Sequence, residues 1–116
     1  GILGVSYKPN VKDIQLAPAQ KIIYELKALG CNVKIFDPYF ISTNIFSIQT
    51  AQKYEDVIND SDAVLLLTAH KDFFSINPEI FSKLMKNPVV IDTRGMFNIS
   101  EFNKLKITFR GIGRPN

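Results

Sequence analysis

Apolar residues recur along the chain in two alternating rhythms. Short, nearly continuous apolar runs occupy residues 2–6, 33–36, 63–68, 89–91 and 106–109, which predicts buried strands. Between the first two runs, Ala19, Ile22, Ile23, Leu26 and Leu29 repeat at helical spacing, with Gln20, Lys21, Glu25 and Lys27 on the opposite face. Pro18 suits the first helical position and Gly30 the stop, so a helix is predicted over residues 18–29. A short helix is predicted over 54–59, closed by the turn-forming Asp60-Ser61-Asp62. A third starts with Asn77 as N-cap and Pro78 behind it, buries Ile80, Phe81, Leu84 and Met85, and ends before Pro88. Residues 99–104 read as a fourth helical turn. Residues 39–52 follow neither period and are expected to form an irregular excursion or a frayed helix.

Buried strands alternating with helices predict an α/β fold, a doubly wound and mostly parallel sheet of about five strands. Ligands of such sheets bind beyond the carboxyl ends of the strands. The residues found there are Tyr7-Lys8, Asp37-Pro38, His70-Lys71, Asp92-Thr93-Arg94, and Arg110 with Arg114. A mouth with Lys8, Arg94 and either Arg110 or Arg114 suits a phosphate or carboxylate, because an Arg fork matches their oxygens and Lys supplies a point charge. The connection over residues 7–18 is long for a strand feeding its crossover helix. Such loops tend to carry function, and this one has an aromatic and a Lys at the strand end.

Composition narrows the ligand class. With 116 residues, 46% of them hydrophobic, the chain is expected to form one domain over residues 1–116 around one core. The net charge of +3 is spread among acids, which argues against a nucleic-acid partner. The longest apolar run, 63–69, is too short to span a bilayer, so no membrane role is expected. The single cysteine, Cys31, excludes an internal disulfide, reads as a small semi-buried residue, and fits a reducing, cytoplasmic setting. One His and one Cys far apart give no metal-ligand spacing. Gly1 and Gly4, and likewise Gly111-Ile112-Gly113, miss the dinucleotide fingerprint and read as structural glycines. His70 reads as a hydrogen-bonded loop residue, and Phe73 and Phe74 as core; Asp37-Pro38-Tyr39 is either a structural turn or a ligand contact. Core sequence begins at once, in Gly1-Ile2-Leu3-Gly4-Val5, as expected of a fragment of a longer chain.

Four ordered segments carry a family resemblance. Gly4-Val5-Ser6-Tyr7-Lys8-Pro9-Asn10, with Asp13 and Ala17-Pro18-Ala19, resembles the loop opening the C-terminal domain of UDP-glucose/GDP-mannose dehydrogenases. Val33-Lys34-Ile35-Phe36-Asp37-Pro38-Tyr39, Leu67-Thr68-Ala69-His70-Lys71-Asp72-Phe73 and Val90-Ile91-Asp92-Thr93-Arg94-Gly95 follow in order and spacing. The resemblance implies a Rossmann-like, UDP-binding domain of an enzyme of surface-polysaccharide precursor synthesis. Such enzymes oxidise the C6 alcohol of a nucleotide sugar to a carboxylate, with two NAD per turnover and a thiohemiacetal and thioester on a cysteine. It also implies that NAD is held by an N-terminal domain, that the full-length enzyme is a homodimer, and that the catalytic cysteine lies ahead of this domain. Nothing here matches the cysteine motif, so Cys31 does not stand in for the nucleophile and no catalytic residue is assigned.

Carried over by position, Tyr7 and Lys8 fall on the family's substrate-contacting pair and Arg94 on the Arg that reaches the nucleotide. Gln15 stands where the family has an Arg used toward NAD, and a neutral amide there weakens a cofactor contact. Ala17 replaces a Ser at the expected N-cap, at a cost of roughly 1 kcal/mol, with Asp13 as a substitute acceptor. The Tyr-Lys-Pro-Asn and Asp-Thr-Arg-Gly pattern looks more like dehydrogenases of N-acetylated UDP-sugars. The alternative reading is a free-standing α/β regulatory or protein-interaction module.

Overall fold

Alternation of side chains along very short strands sorts the core into two layers. The computed structural model describes residues 1–112. In chain order its elements are β1 (Ile2–Leu3), α1 (Pro18–Ala28), β2 (Ile35–Phe36), β3 (Asn44–Ile45), β4 (Ile48–Gln49), α2 (Tyr54–Ile58) and β5 (Val64–Leu66). A 3-10 turn (Lys71–Ser75), α3 (Glu79–Leu84), β6 (Val89–Asp92), α4 (Ile99–Lys104) and β7 (Thr108–Gly111) follow. Five strands form a wholly parallel sheet in the order β2-β1-β5-β6-β7.

Register fixes which residues share a face. Ile2 pairs with Ile35 and Leu65, and Leu3 with Phe36 and Leu66. The first set packs with Ala19 and Ile23 of α1. The second packs with Val57 and Ile58 of α2, Phe81 of α3 and Phe102 of α4. Helices on both faces make the sheet doubly wound, as the sequence predicts. Cover on the α1 side is incomplete at β7, where Thr108 and Arg110 are exposed. Among the described residues, no helix is long and apolar enough to cross a membrane.

The caps follow local chemistry. Pro18 opens α1, and Gly30 at φ 88° closes it, with its amide on Lys27 O at 3.0 Å and the Cys31 amide on Leu26 O at 3.0 Å. This is the Schellman arrangement, which glycine accepts without strain. Cys31 is exposed, not semi-buried, because it follows directly on that cap. Asn77 Oδ1 accepts from the Glu79 amide at 3.0 Å, as a cap does, although α3 itself begins at Glu79.

Residues 39–52 depart from expectation. They hold an antiparallel hairpin, β3 with β4, pairing Asn44 with Gln49 and Ile45 with Ile48. Its turn uses Phe46 at φ 52° and Ser47 at φ 66°. Two consecutive left-handed residues define a type I′ turn, which Asn-Gly usually supplies, so the sequence carries no hairpin signal. Tertiary packing compensates: Ile45 is buried with the α1 cluster, and Phe46 meets Tyr24 of α1 edge-on at 6.5 Å.

Candidate functional site

The strand order reverses between β1 and β5, and ligands of open α/β sheets bind at the carboxyl side of such a reversal. The loops leaving β1 and β5 are joined there. Gly4 has φ 90°, and a β-carbon on it would lie 2.7 Å from Thr68 Cβ and 2.8 Å from Thr68 N, so only glycine allows the approach. Thr68 Oγ1 then donates to Ser6 O at 2.9 Å.

Asp37, at the end of β2, ties the same loop down. Its Oδ2 accepts from the Val5 amide at 2.8 Å, the Ser6 amide at 3.2 Å and Ser6 Oγ at 3.0 Å. Its Oδ1 accepts from the Tyr39 amide at 2.8 Å. His70, after β5, places Nε2 2.9 Å from Asp37 Oδ2, and both side chains are fully buried. Burial alone would raise the Asp37 carboxyl, but the His70 hydrogen bond, with the Val5 and Tyr39 amides, holds it below the usual Asp range. Asp37-Pro38-Tyr39 is thus a structural turn with its carboxylate turned inward, and His70 is a hydrogen-bonded loop residue.

Beside this network lies a cleft of about 180 Å³, lined by Ser6, Leu67, Thr68, Thr93 and Arg94 and by Pro18, Ala19 and Ile22 of α1. Arg94 is set by β6 and its turn. Asp92, buried, accepts from the Arg94 amide at 2.9 Å and the Phe97 amide at 2.8 Å. Arg94 Nε donates to Leu67 O at 2.9 Å, which fixes the guanidinium on the cleft wall while the side chain remains exposed. The neighbouring hydroxyls give their protons to the protein: Thr68 Oγ1 to Ser6 O, Thr93 Oγ1 to Leu66 O at 2.7 Å, and Ser6 Oγ to Asp37. Among the described side chains that line the cleft, Arg94 keeps donors beyond Nε, a match for an oxyanion.

The remaining candidates are distributed unevenly. Tyr7 and Lys8 are exposed on the loop after β1, with Lys8 Nζ 5.7 Å from the centre of the Tyr7 ring, and they do not line the cleft. β1 and β6 are not neighbours; each flanks β5, so their loops start about 10 Å apart. Long Lys and Arg side chains bridge that gap only onto a shared ligand. Gln15 is exposed and its amide donates to Asp13 Oδ1 at 2.9 Å, so Asp13 closes its own turn and caps no amide of α1. Arg110 is exposed and donates to Phe109 O at 3.0 Å, while Gly113 and Arg114 lie outside the described residues. Phe73 is buried as expected, but Phe74 is 68% exposed. Cys31 precedes β2, at the amino ends of the strands, whereas the cleft lies at their carboxyl ends.

Residues 1–99 match the UDP-glucose/GDP-mannose dehydrogenase family, UDP binding domain. The chain belongs to this family. It is 35% identical to the UDP-glucose 6-dehydrogenase TuaD of Bacillus subtilis (strain 168), over 98% of this chain and 26% of that protein. It is 32% identical to the UDP-N-acetyl-D-mannosamine dehydrogenase of Pyrococcus horikoshii, over 97% of this chain and 25% of that one. The solved UDP-D-ManNAc dehydrogenase from Pyrococcus horikoshii shares the fold with a TM-score of 0.82 and 30% identity, across 97% of this chain and 25% of its own. The NDP-N-acetyl-D-galactosaminuronic acid dehydrogenase from Methanosarcina mazei Go1 gives a TM-score of 0.85 and 26% identity, across 97% and 24%. The chain thus spans about a quarter of the length of the relatives it matches.

The connection into α1 departs from the form that holds a dinucleotide cofactor. NAD binding in an α/β unit needs a glycine-rich turn delivering pyrophosphate onto a helix N-terminus. Here α1 is preceded by a long exposed loop, has no side-chain cap and begins with Pro18, which lacks an amide hydrogen. Among the described residues, the connection from β1 into α1 does not have that form.

Proposed function

We propose that residues 1–116 form one nucleotide-sugar-binding domain of a longer, NAD-dependent UDP-sugar 6-dehydrogenase. Such an enzyme oxidises the sugar C6 alcohol to a carboxylate. This chain grips the nucleotide and performs no chemistry, with NAD held by another part of the polypeptide. The observation that carries the reading is Arg94, pinned through Nε on the wall of the switch-point cleft with its remaining guanidinium donors available. Arg94 takes the diphosphate, and Tyr7 and Lys8 close on it from the adjoining loop. At about 180 Å³ the cleft is smaller than the few hundred Å³ that small-molecule sites usually enclose, which supports a site completed by chain outside these residues.

Titration with UDP and UDP-sugars tests this, with Lys8→Ala and Arg94→Ala alongside the unsubstituted chain. UDP is expected to bind, both variants to weaken it, and added salt to weaken it further. Equal, salt-insensitive binding by all three proteins removes the site assignment.

A further inference from the structure

The loop that carries Tyr7 and Lys8 is held at its tip by an imidazole and a backbone amide. Residues 7–12 are all exposed, so burial contributes little toward ordering them. Asn10, at the tip, sits in the left-handed region at φ 62° and donates its amide to His70 Nδ1 at 2.8 Å. Its Oδ1 accepts from the Lys71 amide at 2.8 Å. Both contacts therefore run to consecutive residues just after β5.

These partners determine the state of the ring. A backbone N–H only donates, so Nδ1 carries a lone pair, and the proton sits on Nε2, where Asp37 accepts it. The buried imidazole is neutral, with its donor toward the sheet and its acceptor toward the loop. Asp37 is fixed independently by the Val5, Ser6 and Tyr39 amides. The ring rests against Tyr39 and Phe73, at 4.9 and 5.7 Å between centroids. The sheet thus orients the ring, and the ring orients the loop.

We infer that His70 is a positioning residue of the nucleotide-sugar site: through Nδ1 and Asn10 it holds the Tyr7–Lys8 loop in the conformation that meets the ligand. The inference rests on the reading of Tyr7 and Lys8 as ligand contacts. His70 is buried beneath the loop and does not line the cleft.

Two substitutions separate the two ring nitrogens. His70→Asn places an amide oxygen near the Nδ1 position and keeps an acceptor for Asn10. His70→Gln reaches the Nε2 position, keeping a donor for Asp37 and losing that acceptor. Both remove the same ring, so a role in packing alone does not favour Asn. Amide hydrogen exchange over residues 7–13 is measured in the free chain, and UDP affinity by calorimetry. His70→Gln is expected to speed exchange at Asn10 about tenfold relative to His70→Asn, the effect of one part-buried hydrogen bond, with UDP affinity in the same order. Equal exchange in the two variants, or faster exchange in His70→Asn, overturns the latch. Separated exchange with equal UDP affinity overturns the positioning role. If the unsubstituted chain binds no UDP, the ligand reading fails and the positioning role falls with it, whereas the exchange pattern still reports on the loop. Should either variant not fold, the imidazole nitrogen shifts of unsubstituted His70 decide: a protonated Nδ1 overturns the latch, and a bare Nδ1 with protonated Nε2 supports it.

Discussion

Gly4 lies so close to Thr68 that a β-carbon at residue 4 would sit 2.8 Å from the Thr68 amide nitrogen. The contact joins the ends of β1 and β5, the two strands between which the sheet order reverses. Gly4 also has φ 90°, so any larger residue meets both backbone strain and a clash with main-chain atoms. Gly4→Ala is expected to lower stability by about 3 kcal/mol, read from chemical denaturation. A loss under about 0.5 kcal/mol, the range of an ordinary surface change, contradicts the close approach.

Asp37 makes the fold sensitive to acid. Its carboxyl is held below the usual range in the folded chain, so the ionised form stabilises the fold at neutral pH. That contribution is fully present above the unfolded-state value of about 4 and is lost as pH falls through the lower folded-state value. Asp37→Asn is expected to cost about 3 kcal/mol at neutral pH, since it removes the ionised partner of several buried donors. The gap between the two proteins then narrows below about pH 4. A gap that stays constant across the acid range assigns the loss to packing instead of charge.

The sheet and its helices were legible because two periodicities, near-continuous strands and the stripe of α1, each describe how a segment meets the core. The place of Arg94 on the cleft was legible for a related reason: once the strands are placed, topology alone puts the residues after β6 at their carboxyl ends, where the cleft lies. The hairpin at 44–49 was not, since Phe46 and Ser47 occupy left-handed positions with no turn chemistry of their own, and the packing of Phe46 on Tyr24 is a tertiary fact. The pairing of Asp37 with His70 was equally hidden. Each residue reads locally as a turn or loop side chain, and they meet only because β2 and β5 both lie next to β1. Phe74 misled for the opposite reason: Phe73 alone satisfies the core, and the 3-10 turn aims its neighbour at solvent.

Arg94 gives a prediction that separates charge from geometry. Its Nε bond to Leu67 O holds the guanidinium plane, and lysine has no equivalent of a second donor set at a fixed angle. Arg94→Lys is therefore expected to lose most of what Arg94→Ala loses in UDP affinity, about tenfold each, at moderate salt. The Lys variant should keep a salt dependence that the Ala variant lacks. Full affinity in Arg94→Lys reduces the residue to a point charge.

The same turn that escaped the sequence offers a stabilising change. Ser47 is exposed and sits at φ 66°, the second central position of the type I′ turn, where glycine is favoured. The left-handed conformation costs a non-glycine residue roughly 1–2 kcal/mol. Glycine removes that strain but makes the unfolded chain freer, which offsets roughly half of the gain. Ser47→Gly is expected to raise stability by about 0.5 kcal/mol in denaturation, whereas Phe46→Gly, which also deletes the contact with Tyr24, is expected to lower it. If Ser47→Gly destabilises the chain, the turn does not have the left-handed geometry described for it.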